Sequence, residues 1–293
     1  MLAMRTRILL VNLLCVLIWH YCYVHWPTPY QQCHNETPIL VGTHHKTGTV
    51  LLQHILKDAC RLLRWRCTFN HHPHYCASPE DAIAANLHLC FLQHGIRFRL
   101  QSGASYRFIH GIRDPFEVVL SGYQYHLKTT ESWAHRPDPR FNGTSYLKHL
   151  NTMPLHDGLL TELQHSMRDS LKTMPRLFNR THANPCTLEV RLDDFARDWS
   201  GTVARMWDVM GVTNSVMLRQ LNKRVERHNV YGAGRQRAYN KHVEKNSSSR
   251  DTMRTTLRRA GNAYRKIQRV RRSIGFPAVG REGSLTVAAS PRL

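Results

Sequence analysis

The chain has 293 residues and carries 41 Lys and Arg against 20 Asp and Glu, a formal net charge of +21. Its hydrophobic content of 42% excludes a disordered chain, and a single apolar stretch near the N-terminus excludes a protein that crosses a membrane several times. The length suits one large domain or two small ones. The basic excess indicates a polyanionic partner, which could be nucleic acid, acidic glycan, anionic lipid or a phosphate-rich cofactor.

The first apolar stretch covers residues 8–24, with Arg5 and Arg7 before it and aromatic residues at its end. Positive flanking charge and interfacial aromatics predict a signal anchor with a lumenal domain behind it. We therefore expect a cytoplasmic tail at 1–7, a membrane span at 8–26 and a short stem at 27–37. A cleaved signal peptide and a buried soluble helix are the alternatives, although no small-residue cleavage site follows the apolar core.

Cysteines and glycosylation sequons support a secretory compartment. The sequons begin at Asn35, Asn142, Asn179 and Asn246. Six of the eight cysteines lie beyond the apolar segment, which permits three disulfides in 15 pairings. Four of the six fall between residues 60 and 90 and predict at least one local bridge. Zinc at the His- and Cys-rich stretch 71–76 is the alternative, but the chain has no CxxC pair.

Apolar runs alternate with amphipathic stretches along residues 38–212. The runs predict strands at 38–41, 65–69, 106–112 and 188–192, and the stretches predict helices at 50–63, 80–94, 115–126 and near 200–210. Strands that alternate with helices predict an α/β fold, a P-loop-like three-layer α/β/α domain with a central parallel sheet over residues 38–275.

Three further segments have distinct compositions. Residues 127–160 are rich in Pro, His, Asn and Thr and predict a long, partly irregular insertion. Residues 219–272 hold 17 Lys or Arg and 3 Asp or Glu, so this stretch carries +14 of the net charge. Within it, apolar residues at steps of three or four predict a basic amphipathic helix over 251–274, which could dock on the core or bind a ligand. Residues 276–293 are expected to be disordered.

The sharpest motif is Gly42-Thr-His-His-Lys-Thr-Gly-Thr49, between a predicted strand and a predicted helix. Small residues there let the backbone approach an anion, and the N–H groups at the start of the helix point at it. Lys46 adds a mobile cation. The motif is not a Walker A sequence, which places Lys directly after the last Gly, and this weakens a kinase or NTPase interpretation.

A second motif is Arg113-Asp-Pro115 at the end of a predicted strand, with Ser121 in the helix that follows. Ser121 lies about two turns into that helix, so it can face the same pocket as Arg113 at the carboxyl edge of the sheet. A guanidinium and a hydroxyl are a suitable pair for a terminal phosphate. A simple turn contact between Arg113 and Asp114 is the alternative.

Together the two motifs resemble the PAPS-dependent sulfotransferases, where PAPS is 3′-phosphoadenosine 5′-phosphosulfate. The resemblance covers residues 38–126 and continues weakly over 188–212. It implies that the loop holding the 5′-phosphosulfate comprises Lys46, Thr47, Gly48 and Thr49, with His45 at its edge. It also implies that Arg113 and Ser121 bind the 3′-phosphate, that PAPS is the co-substrate and that no metal is required. The anchor and sequons resemble the Golgi membrane-anchored members.

The resemblance also implies a base that takes the proton of the acceptor hydroxyl, in a position after the second strand. Here His71 and His72 occupy that place, and we expect one of them to be the base because the unperturbed pKa of His is near 6.5. The late Arg-Lys-Gly loop of cytosolic members has no clear counterpart. The basic, Gly-rich stretch with Arg235 and Arg237 is the best candidate to close on the 3′-phosphate.

The sequence therefore predicts a lumenal Golgi sulfotransferase that moves a sulfuryl group from PAPS to a hydroxyl or amine. An acidic or neutral glycan is the expected acceptor. Tyrosine residues of secreted proteins, a lipid or a small metabolite are the alternatives. Nucleic acid is not an expected partner. The competing hypotheses are a non-catalytic binder of acidic glycan or nucleic acid through residues 219–272, and a nucleotide kinase.

Overall fold

A computed structural model describes residues 30–33, 38–70, 76–93, 95–100, 105–232 and 247–277. Five parallel strands form one sheet in the order β2-β3-β1-β4-β5. The strands are β1 (Ile39–Gly42), β2 (Cys67–Asn70), β3 (Leu89–Leu92), β4 (Arg107–Ile112) and β5 (Thr187–Arg191). Short 3₁₀ turns lie at Gln31–Cys33, Gly95–Arg97, Pro139–Phe141 and Glu226–His228.

The described part of the chain contains twelve α-helices. They are α1 (Thr49–Leu63), α2 (Pro79–Ala84), α3 (Pro115–His126), α4 (Ser132–His135), α5 (Tyr146–Thr152), α6 (Leu155–Gln164), α7 (Arg168–Thr181), α8 (Leu192–Arg197), α9 (Trp199–Val209), α10 (Ser215–Val225), α11 (Ser247–Arg259) and α12 (Asn262–Ser273).

Helices cover both faces of the sheet, and the central strands are buried along their whole length. β1, β3 and β4 are buried at every position, as expected for parallel strands packed on both sides. Helices α1, α9 and α10 pack on one face, against residues such as Val41 and Ile109. Helices α2 and α7 pack on the other, against Leu40 and Phe108. The predicted three-layer α/β/α fold with a central parallel sheet is confirmed.

A second apolar cluster joins the C-terminal helices to α3. Met253 and Leu257 of α11 and Ile267 of α12 are buried there with Phe116 of α3. Removing such side chains from water stabilises the contact by roughly 2 kcal/mol each. Helices α11 and α12 are therefore docked on the core through their apolar stripe.

The predicted helix over 80–94 is wrong in its second half. Helix α2 ends at Ala84, and Leu89–Leu92 forms strand β3 between β1 and β2. A short apolar run that is buried on both faces has no alternation, so its periodicity does not distinguish a strand from a buried helix. The five-stranded sheet thus contains one strand more than the sequence predicts.

The segment predicted as a partly irregular insertion, residues 127–160, is partly irregular and also contains α4, α5 and the first part of α6. One other prediction needs correction. The single helix predicted over 251–274 is interrupted, since α11 ends at Arg259 and α12 begins at Asn262. Gly261 between them has φ 50°, a conformation that glycine adopts without steric cost. Both halves contact α3.

Three disulfides join the six cysteines beyond the apolar segment. They pair Cys33 with Cys186, Cys60 with Cys67, and Cys76 with Cys90, with Cα separations of 5.6, 6.4 and 6.0 Å. Two of the bridges lie between residues 60 and 90, so the predicted local bridge is confirmed. Because Cys76 is bonded to Cys90, it does not offer the thiolate that the zinc alternative requires.

Several predicted segments fall outside the described residues. They include the tail, span and stem at 1–37, apart from 30–33, and the expected disordered end from residue 278. Among the residues that the structure describes, no helix is long and apolar enough to cross a membrane. The proposed membrane segment itself is not among them, and it stays a prediction.

Candidate functional site

One cavity of about 750 Å³ opens at the carboxyl ends of the strands. The chain crosses to one side after β1 and to the other side after β4, and these two strands are neighbours in the sheet. Ligands of open α/β sheets bind at such a reversal point. The lining includes His45, Lys46, Gly48, Thr49, Gln93, Arg113, Glu117, Ser121, Tyr125, Glu131, Tyr231, Arg250, Arg254, Arg258 and Arg271.

The loop between β1 and α1 has the backbone shape of an anion cradle. Lys46 and Gly48 have φ values of 66° and 93°, so two left-handed residues flank Thr47. Alternation of this kind turns successive N–H groups towards one point, and the N-terminus of α1 adds its own free N–H groups. The φ of 93° favours glycine at position 48, and a Cβ atom there would also crowd Leu192 Cδ1 at 2.8 Å.

The hydroxyl groups of this loop are used within it. The Thr47 hydroxyl donates to the His44 carbonyl and accepts from the His44 N–H, both at 3.0 Å. Thr47 is buried and does not line the cavity, whereas Thr49 does. The Thr49 Oγ1 lies 3.1 Å from the His44 carbonyl. The side chain of Thr47 therefore shapes the loop, and what it can offer a ligand is its backbone.

Lys46 projects into the cavity above an aromatic ring. Its Nζ lies 3.7 Å from the centroid of the Tyr125 ring, a cation–π contact. Burial, followed by the charge of Arg113, lowers the pKa of Lys46 from 10.5 to about 8. The Arg113 guanidinium also donates to the Lys46 carbonyl at 3.2 Å. The two motifs that the sequence singles out are thus in direct contact.

Arg113 and Ser121 line the same cavity, as the second motif predicts. Asp114 does not form a simple turn contact with its neighbour; it caps α3 by accepting from the Phe116 N–H at 2.9 Å. Its other oxygen lies 2.9 Å from Arg271, whose side chain is only 4% exposed. Pro115 begins the helix, where its missing N–H costs nothing. Arg113 is therefore left to face the cavity.

Glu117, which the sequence analysis did not single out, lies at the centre of an arginine cluster. Its carboxylate pairs with Arg250 and Arg254, and Arg113 lies 3.8 Å away. Burial alone would raise the pKa of Glu117, but the surrounding arginines outweigh burial and lower it. Arg250, Arg254 and Arg258 recur at steps of four in α11, a spacing that could have shown a common face.

A carboxylate lines another part of the cavity and is held by two aromatic residues, of which Tyr125 also lines the cavity and Trp133 lies beside it. Glu131 lines it, accepting at Oε1 from the Tyr125 hydroxyl at 2.8 Å and at Oε2 from the Trp133 indole N–H at 2.5 Å. Burial would raise the pKa of Glu131, but these two hydrogen bonds and nearby histidines lower it. Glu131 and Trp133 belong to the segment that the sequence predicts to be a partly irregular insertion.

Below the loop, buried polar groups tie it to the sheet. His44 Nε2 lies 2.9 Å from His110 Nε2, and His44 Nδ1 lies 3.0 Å from the Thr173 hydroxyl. His110 Nδ1 is 2.7 Å from Glu189 Oε2. His45, the neighbour of His44, instead lines the cavity and stacks on His126 with ring centroids 5.5 Å apart. The loop is thereby fastened from β4, β5 and α7.

The structure brings together six of the predicted site residues around one cavity: His45, Lys46, Gly48, Thr49, Arg113 and Ser121. His71, His72, Arg235 and Arg237 lie outside the described residues, so their positions stay predictions. Within the described ranges, no group of three or more His, Cys, Asp and Glu side chains could hold a metal ion.

Comparisons with known proteins find likeness among solved structures. No protein-family profile matches the sequence, and no curated protein matches it. Among solved structures, the chain is similar to the crystal structure of retinol dehydratase in complex with androsterone and the inactive cofactor PAP. That likeness has a TM-score of 0.45 and 14% sequence identity, and it covers 85% of this chain and 87% of the other.

Proposed function

We propose that this protein is a PAPS-dependent sulfotransferase that transfers a sulfuryl group to a hydroxyl or amine acceptor, and that the acceptor is a glycan. One observation carries the proposal. The lysine loop after β1 and the Arg113–Ser121 pair after β4 meet in a single cavity at the reversal point of the sheet. These are the parts that the sequence motifs assign to the two ends of PAPS.

The charge of the cavity fits this co-substrate. Among the described residues, Arg113 Nε, Arg250 Nε and Arg271 Nη1 are buried and have no hydrogen-bond partner. Such N–H groups are costly to bury unpaired, and an anionic oxygen would satisfy them. A terminal phosphate next to Arg113, Ser121 and Arg250 would do so, and it would compete with the Glu117 carboxylate for the same guanidinium groups.

PAPS would supply an activated sulfuryl group on a good leaving group. In the transfer, an acceptor oxygen forms a bond to sulfur while the bond from sulfur to the 5′-phosphate oxygen breaks. Lys46 and the N–H groups of the loop would neutralise the charge that develops on the departing phosphate, as in phosphoryl transfer. The acceptor proton must pass to a base, and His71 or His72 is the group we propose for it.

The compartment is part of the proposal. Three disulfides suit an oxidising environment, and Asn142 and Asn179 of the predicted sequons are exposed. A Golgi location, a type II signal anchor at 8–26 and a glycan acceptor are consistent with these features. They would be tested by protease protection of the full chain in sealed vesicles and by removal of N-glycans.

The direct test is transfer of labelled sulfate from PAPS to a panel of glycans by the purified full-length protein. We expect retention on immobilised adenosine 3′,5′-bisphosphate and a strong loss of retention in Arg113→Ala. Lys128→Ala is a matched control, because Lys128 is exposed and lies outside the cavity lining. Failure of the wild-type protein to bind the bisphosphate would overturn the assignment.

The competing functions make different demands. A nucleotide kinase would need ATP and Mg²⁺, whereas sulfuryl transfer should proceed in EDTA. A non-catalytic binder using the basic C-terminal stretch would expose its charges, but Arg250, Arg254 and Arg258 line the cavity. Binding of acidic glycan that survives Lys46→Ala and Arg113→Ala, with a salt dependence set by residues 219–272, would favour the binder.

A further inference from the structure

Helix α3 runs along the cavity, and the two ends of the cavity differ in the side chains that line them. Glu117, Ser121 and Tyr125 all line it, at steps of four residues, so they share one face of the helix. Eight residues of helix span about 12 Å. The arginine cluster around Glu117 is therefore separated by roughly that distance from Tyr125, whose hydroxyl bonds Glu131. The phosphate-binding character belongs to the first end, and the second end has a different chemistry.

At the second end, Trp133 presents an immobilised aromatic surface. Its side chain is 44% exposed, and its N–H is fixed on Glu131 Oε2. Its ring also packs against Tyr146 and His126, with centroids 5.5 and 5.2 Å away. Trp133 is not itself among the residues that line the cavity, but its indole N–H is bonded to Glu131, which lines it. An exposed and immobilised ring beside a cavity offers a surface on which a ligand can pack.

Glu131 supplies the polar half of this surface. An ionised carboxylate only accepts hydrogen bonds and has about four lone-pair positions, of which Tyr125 and Trp133 occupy one on each oxygen. The remaining positions can accept from hydroxyl groups of a ligand. The same negative charge repels a carboxylate or sulfate brought close to it, because like charges in a partly buried site cost free energy.

We infer that Glu131 and Trp133 form an acceptor subsite for an uncharged sugar ring, whose C–H face packs on the indole while a ring hydroxyl donates to Glu131. The inference rests on the proposed function and makes it specific. The excess positive charge of the cavity serves the co-substrate end, and the acceptor end selects against acidic sugars. Tyr125 joins the two, since its ring lies under Lys46 and its hydroxyl holds Glu131.

The test uses two probes that differ in one group, a p-nitrophenyl β-glucoside and the matching β-glucuronide, with the galactose pair in parallel. Binding to the full-length protein is measured by ligand-observed NMR in the presence of adenosine 3′,5′-bisphosphate. We expect the wild-type protein to prefer the neutral member of a pair about tenfold, the usual scale for a charge-assisted hydrogen bond. Glu131→Gln should reduce that preference to about twofold or less.

Variants of Trp133 separate the contribution of ring stacking to affinity from that of hydrogen bonding to Glu131. Trp133→Ala should weaken both members of a pair about tenfold, whereas Trp133→Phe should restore most of the affinity because it keeps a ring. Glu80→Gln is the matched control, since Glu80 is exposed on α2 and lies outside the cavity lining. Retention on immobilised bisphosphate should be unchanged in every variant, which also shows that each one folds.

The outcomes distinguish this inference from the proposed function. If the wild-type protein does not bind the bisphosphate, the proposed function fails. If it binds the bisphosphate but no neutral glycoside, or if Glu131→Gln keeps the wild-type preference, the subsite is overturned while the proposed function stands. Transfer assays on the same pairs should give the same ranking of kcat/KM.

Discussion

Two regions of the molecule face each other across the cavity and contribute to it by different means. The sheet side, with the loop of residues 42–49 and the start of α3, offers backbone N–H groups and a few side chains fixed by hydrogen bonds. The C-terminal side, α11 and α12, offers long arginines held by carboxylates of the other region. The first region fixes the position of a ligand, and the second supplies much of the positive charge of the cavity.

The difference shows that a docked helix can also line a cavity. The apolar stripe of α11 is buried against the core, and Arg250, Arg254 and Arg258 leave it on the face that lines the cavity. Arg259, in the same helix, is exposed. The two interpretations of this basic helix that the sequence left open are therefore compatible, because docking and the lining of the cavity use separate faces.

The largest effect is expected on the sheet side. Lys46→Ala should lower the rate of sulfuryl transfer about 10²- to 10³-fold, because it removes the cation next to the leaving oxygen. Retention on immobilised bisphosphate should fall much less, since Arg113 and α11 remain. Lys128→Ala should behave as wild type. If Lys46→Ala lost rate and retention equally, the two regions would not have the separate roles described above.

The C-terminal side should act mainly on affinity. Arg250→Ala together with Arg254→Ala should weaken binding of adenosine 3′,5′-bisphosphate about 10- to 100-fold, measured by calorimetry, because two charge-assisted contacts are lost. Arg259→Ala is the control on the same helix and should leave affinity unchanged. Wild-type affinity in the double variant would show that these arginines serve the Glu117 ion pairs alone.

The pH dependence of kcat/KM should report the ionisation of Lys46. The pKa of this lysine is about 8, so the cation is present at lower pH and is lost as the pH rises through that value. The pH profile of kcat/KM, which reports the free enzyme, should therefore have a falling limb above pH 8, with a loss of about tenfold per pH unit. Lys46→Arg keeps its charge at these pH values and should remove the limb. A limb that persists near pH 8 in this variant would assign it to another group.

The smallest effect on bisphosphate affinity is expected from Glu117→Gln, which should raise the affinity rather than lower it. The carboxylate holds Arg113, Arg250 and Arg254 near one another, so its removal should free them for a ligand anion and raise bisphosphate affinity a few-fold. The thermal midpoint without ligand should fall, because the guanidinium groups then repel one another. Weaker binding together with a lower midpoint would mean that Glu117 organises the site.

Much of the sheet side could be predicted from the sequence, because its signals are local. A short apolar run, a Gly-rich loop and an amphipathic stretch predicted β1, the loop and α1, and Asp114-Pro115 predicted the start of α3. The spacing of Arg113 and Ser121 predicted that they face one pocket. Strand β3 was missed, since Leu89–Leu92 is apolar throughout and shows no alternation.

The rest depends on contacts between distant parts of the chain. Glu117 meets Arg250 across 133 positions, and nothing near either residue marks the pairing. Glu131 and Trp133 lie in a segment whose Pro, His and Asn content favoured partly irregular structure, yet contacts with α3 and α5 hold Glu131 at the cavity and Trp133 beside it. Thr47 was expected among the residues that hold the 5′-phosphosulfate, but its side chain is taken up by His44, a contact that exists only once the loop has its left-handed residues.

The disulfide between Cys33 and Cys186 has a mechanical consequence. It closes a covalent ring across a sequence separation of 153 that encloses strands β1 to β4. When the oxidised protein is pulled from its ends, force passes from Cys33 to Cys186 through the sulfur bridge, and the enclosed chain cannot extend. At about 3.6 Å per residue, roughly 550 Å of contour length stays hidden until the bond is reduced. The strands that carry the lysine loop are thus shielded from tension that the C-terminal helices must bear.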